Sequence, residues 1–538
     1  MSLHMCMRGE VSIIARGGGT IPEAQRQILE YSNILKTNIK ERYKMRDRFK
    51  ELPAQEVVRY LIEPTIKGDL ERSYGKILEV NKAHVVMLVE QKIITAETGK
   101  RILEVTQDLA TRDKSVIEID PNLECLYFNI EAYINKQVGV EIGGQQHTGR
   151  SRNDLGATVT KLVTRDNYLK LSSQLNELRA TLLQFSQDKL DVIMPGYTHL
   201  QPSEPITMAH YFSAILQAFQ RDYDRLSNAF AGINVCPLGA GAMAATSWPI
   251  NRELTASLLG FDTFTRNSLD SVAARDYVLE VLSALSIFMN NLSRLATDLH
   301  IWATPEFGYI EIGGSVAKCS SIMPQKKNPG IFEHIKGKAS HLEGAFISAL
   351  NSMKNTPYSH SRDVAGESLK FFWPALDEVE AAINLMIISV KTIKVNKEQM
   401  LNRAKNNFCT VTELANYLVR YDGISFRSAH EVVADIVFIL MEQKQTAEAI
   451  DRKVVSKVFL EIFKRDTVLS EEQIRNALDP VQNVQAKAVT GGPASQEVEL
   501  QLSEITKRLN GDTKQVSERL NKIAEAKNAL DEKVKKIL

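Results

Sequence analysis

The chain has 538 residues, of which 44% are hydrophobic and 24% charged, and its formal net charge is +1. This length allows a large buried core and two or three domains, and the balanced charge gives no electrostatic reason to expect a nucleic-acid or membrane partner. No apolar run is long enough to span a bilayer, and no basic segment followed by an apolar one opens the chain, so we expect a cytoplasmic protein.

The N-terminal part, residues 1–154, is predicted to be helical with polar loops. It ends in HTGRSRND at 147–154, eight residues without an apolar side chain. Arg152 offers a planar fork of donors, and Ser151 and Asn153 add neutral ones, which suits a carboxylate or phosphate ligand. The alternative is a solvated loop between two helices.

The central part, residues 155–395, is predicted to contain long helices, because 157–194, 206–231 and 261–304 lack glycine and proline. In the last of these stretches, apolar residues alternate three and four positions apart at Val278, Val281, Leu285, Phe288, Leu292, Leu295 and Leu299. This spacing is typical of helices packed nearly parallel to one another. With no regular series of alternating strands, the pattern predicts a mainly α fold around a long helical bundle.

A second polar segment, YTHLQP, occupies 197–202. We expect it at the start of a long helix, where His199 beside Thr198 can titrate near neutral pH. A single histidine is more often only a hydrogen-bonded structural residue, so this segment alone is a weak signal.

A third segment, CSSIMPQKKNP at 319–329, is followed by Glu333. Adjacent serines, two lysines and two prolines form a poor helix, so we expect a loop. Lysines close to serines can lower the cost of ionising a hydroxyl or can bind a developing dianion. The alternative is a basic surface loop.

Beyond the central part we expect a small helical domain at 396–490 and a further helix at 491–538. In the last segment, apolar residues recur every seven positions at Leu502, Leu509, Val516, Ile523, Leu530 and Ile537. The companion position of the heptad is poor, so a weak or intermolecular coiled coil is a suggestion only. Five cysteines without CxxC or Cys/His spacing indicate reduced thiols, and we expect neither a metal nor a cofactor.

These segments together carry a resemblance. The sequence SSIMPQKKNP at 320–329 resembles the signature of the fumarase/aspartase superfamily, while HTGRSRND and YTHLQP resemble the other two characteristic regions of its argininosuccinate lyase branch. The similarity extends over roughly residues 60 to 500, with the regions in the order of the family. It implies a three-domain fold whose long helices form a twenty-helix bundle in a homotetramer, with each active site shared between three subunits.

The resemblance also implies a reaction, in which a proton leaves Cβ of a succinyl group and the nitrogen substituent leaves Cα, releasing fumarate. Ser320 matches the serine of a mobile loop and is our preferred base, although the family has been assigned both ways, and His199 matches the histidine that pairs with the carboxylate matched by Glu333. The positions that hold the succinyl carboxylates correspond to Ser151, Arg152, Asn153, Thr198, Lys326 and Asn328.

The sequence departs from the family where the leaving amine is held. In an ungapped register over 359–368, the family's tyrosine, glutamine and second lysine become His360, Ala365 and Ser368. The N-terminal serine that contacts substrate corresponds to Asn81, and RGGG at 16–19 replaces the family's opening motif. The half of the site that forms fumarate is therefore retained, and the half that holds the amine is altered.

Argininosuccinate is the preferred substrate, giving arginine and fumarate. The alternative is a paralogue that acts on another N-substituted aspartate, such as the aminopolycarboxylate ethylenediamine disuccinate. A non-catalytic protein like the lens δ-crystallins is a third possibility, and the joint presence of His199, Ser320, Lys326, Asn328 and Glu333 argues against it.

Overall fold

The computed structural model describes residues 51–538, and helices dominate it. The first group of helices comprises α1 Gln55–Val57, α2 Glu63–Arg72, α3 Tyr74–Glu90, α4 Ala96–Thr111, α5 Leu126–Val138 and α6 Val140–Gly143. Almost every residue of α3 between Tyr74 and Leu88 is buried, because its apolar side chains point in all directions and neighbouring helices enclose it. The opening segment at 16–19 lies outside the described residues.

Five long helices form the centre of the molecule. They are α7 Arg152–Gln187, α8 Met208–Ile233, α11 Asp276–Trp302, α12 Gly330–Met353 and α14 Phe372–Thr392. They contact one another in a closed ring, α7 to α8, α8 to α11, α11 to α12, α12 to α14 and α14 back to α7. The prediction of a mainly α fold around a long-helix bundle is confirmed.

The apolar seam predicted in the third stretch is confirmed too, since all seven of its residues are buried in this bundle. The seam is, however, satisfied by helices of the same chain. It therefore does not by itself require a second subunit.

The predicted bounds of two helices were wrong. Stretch 261–304 contains strand β4 Thr263–Phe264 and the short helix α10 Ser268–Ala273 before α11 begins. The side chain of Asn267 accepts hydrogen bonds from the N–H groups of Leu269 and Asp270 and so starts α10 without any glycine or proline. The helix predicted over 157–194 likewise ends early, at Gln187.

Within residues 51–538, three two-stranded sheets lie between the helices. The hairpin β1 Ile193–Thr198 and β2 Gln201–Thr207 is antiparallel, β3 Val235–Cys236 pairs in parallel with β4, and β5 Ile310–Glu311 pairs antiparallel with β6 Lys394–Val395. The short helices α9 Arg252–Leu258 and α13 Arg362–Ala365 lie in the connections. No helix within residues 51–538 has the length and apolar character needed to cross a membrane.

After the bundle, six shorter helices follow: α15 Lys397–Lys405, α16 Val411–Asp422, α17 Phe426–Glu442, α18 Arg452–Phe463, α19 Glu471–Leu478 and α20 Pro480–Gln485. Most of them enclose a separate hydrophobic cluster that spans residues 414–477. The division of the chain after 154, 395 and 490 stays a prediction. A second hydrophobic cluster, formed mainly by the N-terminal helices, also includes Leu155, Val159, Leu530 and Val534, which lie beyond the first of these predicted boundaries.

The last helix, α21 Ser495–Ile537, is 43 residues long and lies along the outside of the chain's own bundle. The helix contacts α7, α8 and α3, and four residues of its apolar stripe are buried there, Leu502, Leu509, Val516 and Leu530, while Ile523 and Ile537 are half-buried. The suggested weak or intermolecular coiled coil stays a prediction. Asp512 forms an ion pair of 2.9 Å with Arg179, whose side chain is fully buried. Farther along, the guanidinium of Arg519 lies 4.0 Å from the ring of Phe230.

Candidate active site

The first polar segment begins the longest bundle helix. Ser151 is the N-cap of α7, where its Oγ accepts from the N–H of Asn153, and Asp154 Oδ1 accepts from the N–H of Ser151. This reciprocal pair is a capping box. Arg152 and Asn153 thus occupy the first turn of a 36-residue helix, where the helix dipole favours an anion.

The side chains of this first turn lie at the surface. Arg152 is exposed, donates to Glu124 Oε2 at 3.3 Å and lies 4.6 Å from the ring of Phe128. Asn153 is half-buried and donates through Nδ2 to the carbonyl of Ala242 at 3.0 Å. The donors that the sequence indicated are therefore held in place by neighbours rather than left free in a solvated loop.

Asp154 is a structural residue that the sequence reasoning gave no role. It is fully buried, and its Oδ2 accepts from the N–H groups of Gly239 and Gly241, each at 2.9 Å. Burial raises the pKa of this carboxyl, and the backbone donors oppose that rise. The spacing of a serine followed three residues later by an acidic residue was the available signal for this position. Asp154 ties the loop around Gly239 to the start of α7.

Behind the segment lies a buried polar network. Arg150 donates to Asn81 Oδ1 at 2.9 Å and to the Tyr127 hydroxyl at 3.1 Å, and that hydroxyl is 2.7 Å from His147 Nδ1. His84 donates through Nε2 to a backbone carbonyl, and burial holds its pKa well below the usual range. Asn81 is fully buried, so the expectation that it contacts substrate was wrong for this chain; it supports Arg150 instead.

The second polar segment forms the tip of the β1–β2 hairpin, so the expectation that it starts a helix was wrong. His199 and Leu200 have φ values of +55° and +59°, and β1 pairs with β2 directly on either side of them. A left-handed conformation costs a non-glycine residue roughly 1–2 kcal/mol, and such strain tends to occur at functional sites. His199 and Thr198 are both exposed at this tip.

Aromatic side chains hold the base of the hairpin. The hydroxyl of Tyr197 is hydrogen-bonded to that of Tyr309, and its ring lies 5.7 Å from that of Phe307. Burial raises the pKa of Tyr197, so both hydroxyls stay protonated at neutral pH. The aromatic contacts therefore fix the strands of the hairpin, while the histidine at its tip is exposed and has a strained backbone conformation.

The third polar segment is a loop, as predicted, and it joins β5 to α12. Two backbone hydrogen bonds between Lys318 and Asn328, of 3.0 and 2.9 Å, close its neck. Within it, Ser320 is half-buried, and its Oγ accepts from the N–H of Met323 at 3.1 Å. Lys326 is exposed on the same loop.

The three polar segments share no polar contact among the described residues. Among residues 51–538, no hydrogen bond or ion pair joins 147–154, 197–202 and 319–329 to one another. Glu333 is exposed in the first turn of α12, and in the described part of the chain no such contact links it to His199. In the same part, no group of three acidic, histidine or cysteine side chains is arranged to hold a metal ion.

The segment 359–368 follows a residue that contacts α10. Tyr358 donates to Asp270 Oδ1 at 2.5 Å, which brings the segment against α10. Ser368 is buried, and its hydroxyl donates to the carbonyl of Val364 at 2.7 Å. Ser368 therefore contributes to a helical turn rather than to an open surface, while His360 is half-exposed.

Comparison with known families adds two matches. A lyase family model matches residues 65–344, and a model of the argininosuccinate lyase C-terminal region matches 408–485. Argininosuccinate lyase 1 of Shouchella clausii is 47% identical over 471 residues, covering 88% of this chain and 95% of that protein. Argininosuccinate lyase of Methanocaldococcus jannaschii is 39% identical over 448 residues, covering 83% and 91%.

Solved structures with the same fold include EDDS lyase in complex with formate. It is 33% identical, covers 90% of this chain and 96% of its own, and superposes with a TM-score of 0.81. Class II fumarase from Schistosoma mansoni, at 14% identity and a TM-score of 0.62 over 76% of this chain and 90% of its own, shares the fold alone.

Proposed function

Because the chain belongs to the argininosuccinate lyase family, we propose that it cleaves argininosuccinate into arginine and fumarate by anti-elimination. It is a carbon–nitrogen lyase. The observation that carries the choice of substrate is the 47% identity to argininosuccinate lyase 1 of Shouchella clausii over 88% of this chain. A role in arginine biosynthesis in the cytoplasm follows from that proposal.

The start of α7 is proposed to hold the succinyl carboxylates. Removing the Cβ proton places negative charge on the adjacent carboxylate, and fixed donors that match this charge lower the barrier. The side chains of Ser151, Arg152 and Asn153 at the positive end of the helix dipole are such donors. Their support by Asp154 means that little reorganisation is needed when charge develops.

Ser320 is proposed as the base that takes the Cβ proton. Its Oγ accepts N–H hydrogen bonds from Ile322 and Met323, and such bonds favour the ionised form of an oxygen. The exposed ammonium of Lys326 on the same loop adds a positive charge. His199, paired with Glu333, is proposed to protonate the leaving nitrogen, directly or through water.

Thr198, Lys326 and Asn328 complete the proposed carboxylate site. Because no hydrogen bond or ion pair joins these polar segments to one another within residues 51–538, we propose that each site is assembled from three subunits of a homotetramer. The exposed tip of the β1–β2 hairpin supports this arrangement, since Leu200 is 65% exposed next to the catalytic histidine.

Apolar residues on the outside of the bundle also support a tetramer. Ile287 on α11, Ile347 and Leu350 on α12 and Ile388 on α14 are 42%, 52%, 41% and 42% exposed. Contact between such faces on several chains would remove this apolar surface from water. A monomer in light scattering at micromolar concentration would exclude the shared site.

The sharing of sites has a direct test. His199→Ala and Ser320→Ala are each expected to be inactive as purified proteins. If the two residues act in one site but come from different subunits, dissociating and reassembling the two variants together creates some sites with neither substitution. Recovered fumarate release in the mixture supports the proposal, and an inactive mixture with normal tetramers contradicts it.

The substrate is tested by following fumarate absorbance with argininosuccinate and with ethylenediamine disuccinate in parallel. The similarity to EDDS lyase and the altered segment 359–368 are the observations that favour the second compound. Faster turnover of ethylenediamine disuccinate at equal concentration would replace argininosuccinate as the substrate while keeping the reaction.

A further inference from the structure

Two lysines flank the loop that carries Ser320, which runs from strand β5 to helix α12. Lys327, near the end of the loop, forms an ion pair with Glu311, the last residue of β5. Lys318 precedes the loop, and its Nζ lies 2.8 Å from Nε2 of His334, near the start of α12. Each side of the loop is therefore bound to the element at its opposite end.

A glycine makes room for the Lys318 side chain. Gly330 begins α12, and a Cβ atom there would lie 3.2 Å from Cδ of Lys318 and 3.4 Å from Oε2 of Glu333. The stem of Lys318 thus crosses the start of α12 beside the carboxylate that is proposed to pair with His199. The Lys318 ammonium reaches His334 across the residue where the loop becomes the helix.

The chemistry of this hydrogen bond fixes the charge of the histidine. A lysine ammonium only donates, so Nε2 of His334 accepts and the imidazole is neutral, with its proton on Nδ1. A protonated imidazole carries N–H groups on both nitrogens and has no acceptor to offer. It also places a second positive charge next to the ammonium of Lys318. The bond between Lys318 and His334 therefore exists only while the imidazole is neutral.

Other charged groups do not replace this bond. The titratable side chains near the start of α12, and on the elements that contact this helix, include Glu333, Lys336 and Lys338 of α12, His300 of α11, Glu378 of α14 and Arg362, Asp363 and Glu367 of the segment before α14. Lys338 donates to Glu378 at 2.6 Å. Within residues 51–538, His334 makes its side-chain hydrogen bond with Lys318, and no carboxylate lies within ion-pair distance of its ring.

The contact on the other side of the loop keeps its charges at neutral and mildly acidic pH. The hydrogen bond from Lys327 and its positive charge hold the pKa of Glu311 below its usual range. The two backbone hydrogen bonds between Lys318 and Asn328, which close the neck of the loop, contain no titratable group. Histidine is the side chain whose charge ordinarily changes between pH 5 and 8. Among these contacts, the one made by His334 is therefore the one that responds to pH in that range.

We propose that Lys318 and His334 are positioning residues for the loop that carries Ser320, and that protonation of His334 releases the loop and slows elimination below neutral pH. The inference rests on the proposed function and adds pH control to it. Ser320 is two residues from Lys318, so opening of the neck moves the serine relative to the substrate. A small misplacement of a reacting group is enough to slow a reaction.

The state of the loop is measured by amide hydrogen exchange in the assembled protein. The N–H groups of Lys318 and Asn328 close the neck, so their exchange, corrected for the intrinsic effect of pH, reports its opening. In the wild-type protein we expect exchange about fivefold faster at pH 5.5 than at pH 8, the factor that corresponds to one exposed hydrogen bond.

Two variants separate the bond from other effects of pH. In His334→Gln the amide oxygen accepts from Lys318 at every pH, so exchange at the neck should be slow and equal within about twofold at the two pH values. Lys318→Met lacks the bond at every pH, so exchange should be fast at both. His300→Gln is the matched control, because His300 accepts from Lys336 at 3.1 Å between α11 and α12, and among the described residues it has no polar contact with the loop. It should behave as the wild-type protein does.

The rate of fumarate release is measured on the same proteins. Relative to the wild-type value, kcat of His334→Gln should rise about fivefold from pH 8 to pH 5.5, because this variant keeps the loop in place. The corresponding ratio for His300→Gln should stay constant within about twofold.

Equal exchange at the two pH values in the wild-type protein would overturn the proposal, as would a pH effect of wild-type size in His334→Gln. A pH effect on exchange with a constant kcat ratio would overturn the role of the bond in the reaction. Failure of the proposed function looks different, because argininosuccinate would then release no fumarate while the exchange measurements would be unaffected. The rates are then compared with the N-substituted aspartate that does react, and the same criteria apply.

Discussion

Replacing Ser320 by alanine removes one oxygen from the loop that joins β5 to α12. The hydroxyl is half-buried and accepts two N–H hydrogen bonds, of 3.1 and 3.4 Å, from residues of the same loop. Losing such bonds in a partly solvated loop lowers the free energy of unfolding by about 1 kcal/mol at most. The fold and the assembly should therefore persist in Ser320→Ala.

The effect on turnover should be far larger. Proton transfer by a positioned group typically contributes 10²–10⁴-fold, which is roughly 3–5 kcal/mol of activation free energy. We expect kcat for fumarate release to fall by about that factor, with a smaller change in KM, because the carboxylate-binding groups are untouched.

The matched control is the neighbouring serine. Ser321→Ala removes the same atom from an exposed residue of the same loop, so kcat should stay within about threefold of the wild-type value. Fumarate absorbance gives the rate, and light scattering and the melting temperature report on the assembly and the fold. If Ser320→Ala retains kcat within about tenfold while both physical measurements are unchanged, Ser320 is not the base and His199 takes that role.

Three further predictions concern stability and reactivity. Asp512→Ala should lower the free energy of unfolding by about 3 kcal/mol, because it leaves the fully buried Arg179 without its carboxylate. The control Asp224→Ala breaks an exposed ion pair and should lower it by less than about 1 kcal/mol. The denaturant midpoint of each variant measures the loss. Lys161→Met should remove a rise in stability between pH 8 and 9.5, because burial lowers the pKa of the Lys161 ammonium to about 8. Iodoacetamide at pH 8 should modify Cys319, the exposed thiol of the described cysteines, and slow fumarate release, while Cys319→Ser should be resistant.

The sign of the pH effect follows from proton binding. Lys161 has a pKa of about 8 in the folded chain and an ordinary value of 10.5 when unfolded. Between these values the unfolded chain binds more protons, so the stability contributed by this group rises with pH, by up to about 1.4 kcal/mol per unit. A difference between the wild-type protein and Lys161→Met that is constant from pH 8 to 9.5 would contradict this assignment.

The two other predictions of that group have equally direct counter-results. Equal losses of stability in Asp512→Ala and Asp224→Ala would mean that the buried guanidinium finds a new partner. Inactivation of Cys319→Ser by iodoacetamide at the wild-type rate would place the reactive thiol elsewhere in the chain.

Local sequence patterns determined the class of fold and the chemistry of the polar segments. The seam from Val278 to Leu299 has a spacing that only a packed helix satisfies, and all seven of its apolar residues are buried as that spacing requires. The loop at 319–329 was equally predictable, since its prolines and serines disfavour a helix. The residue types of the three polar segments also identified the family, because each segment resembles a family motif and the three occur in the family's order along the chain.

Only the tertiary structure decided where the helices end and which polar residues face outward. The helix expected around His199 became a hairpin tip, because strand pairing from Ile193 to Thr207 and the contact of Tyr197 with Tyr309 depend on residues far apart in sequence. Asn81 and Ser368, both matched to substrate-contacting positions, are buried by neighbours that no local pattern identifies.

The same distinction applies to the apolar seam and to the last helix. A heptad repeat predicts that one face of a helix is buried, but it does not show whether the helices packed against that face belong to the same chain or to another. Here the ring of five helices covers the seam within one chain, and four residues of the α21 stripe are buried there as well. Periodicity is a property of neighbouring residues and can be read from the sequence, whereas the partner of a buried face is set by long-range packing and is known only once the chain is folded.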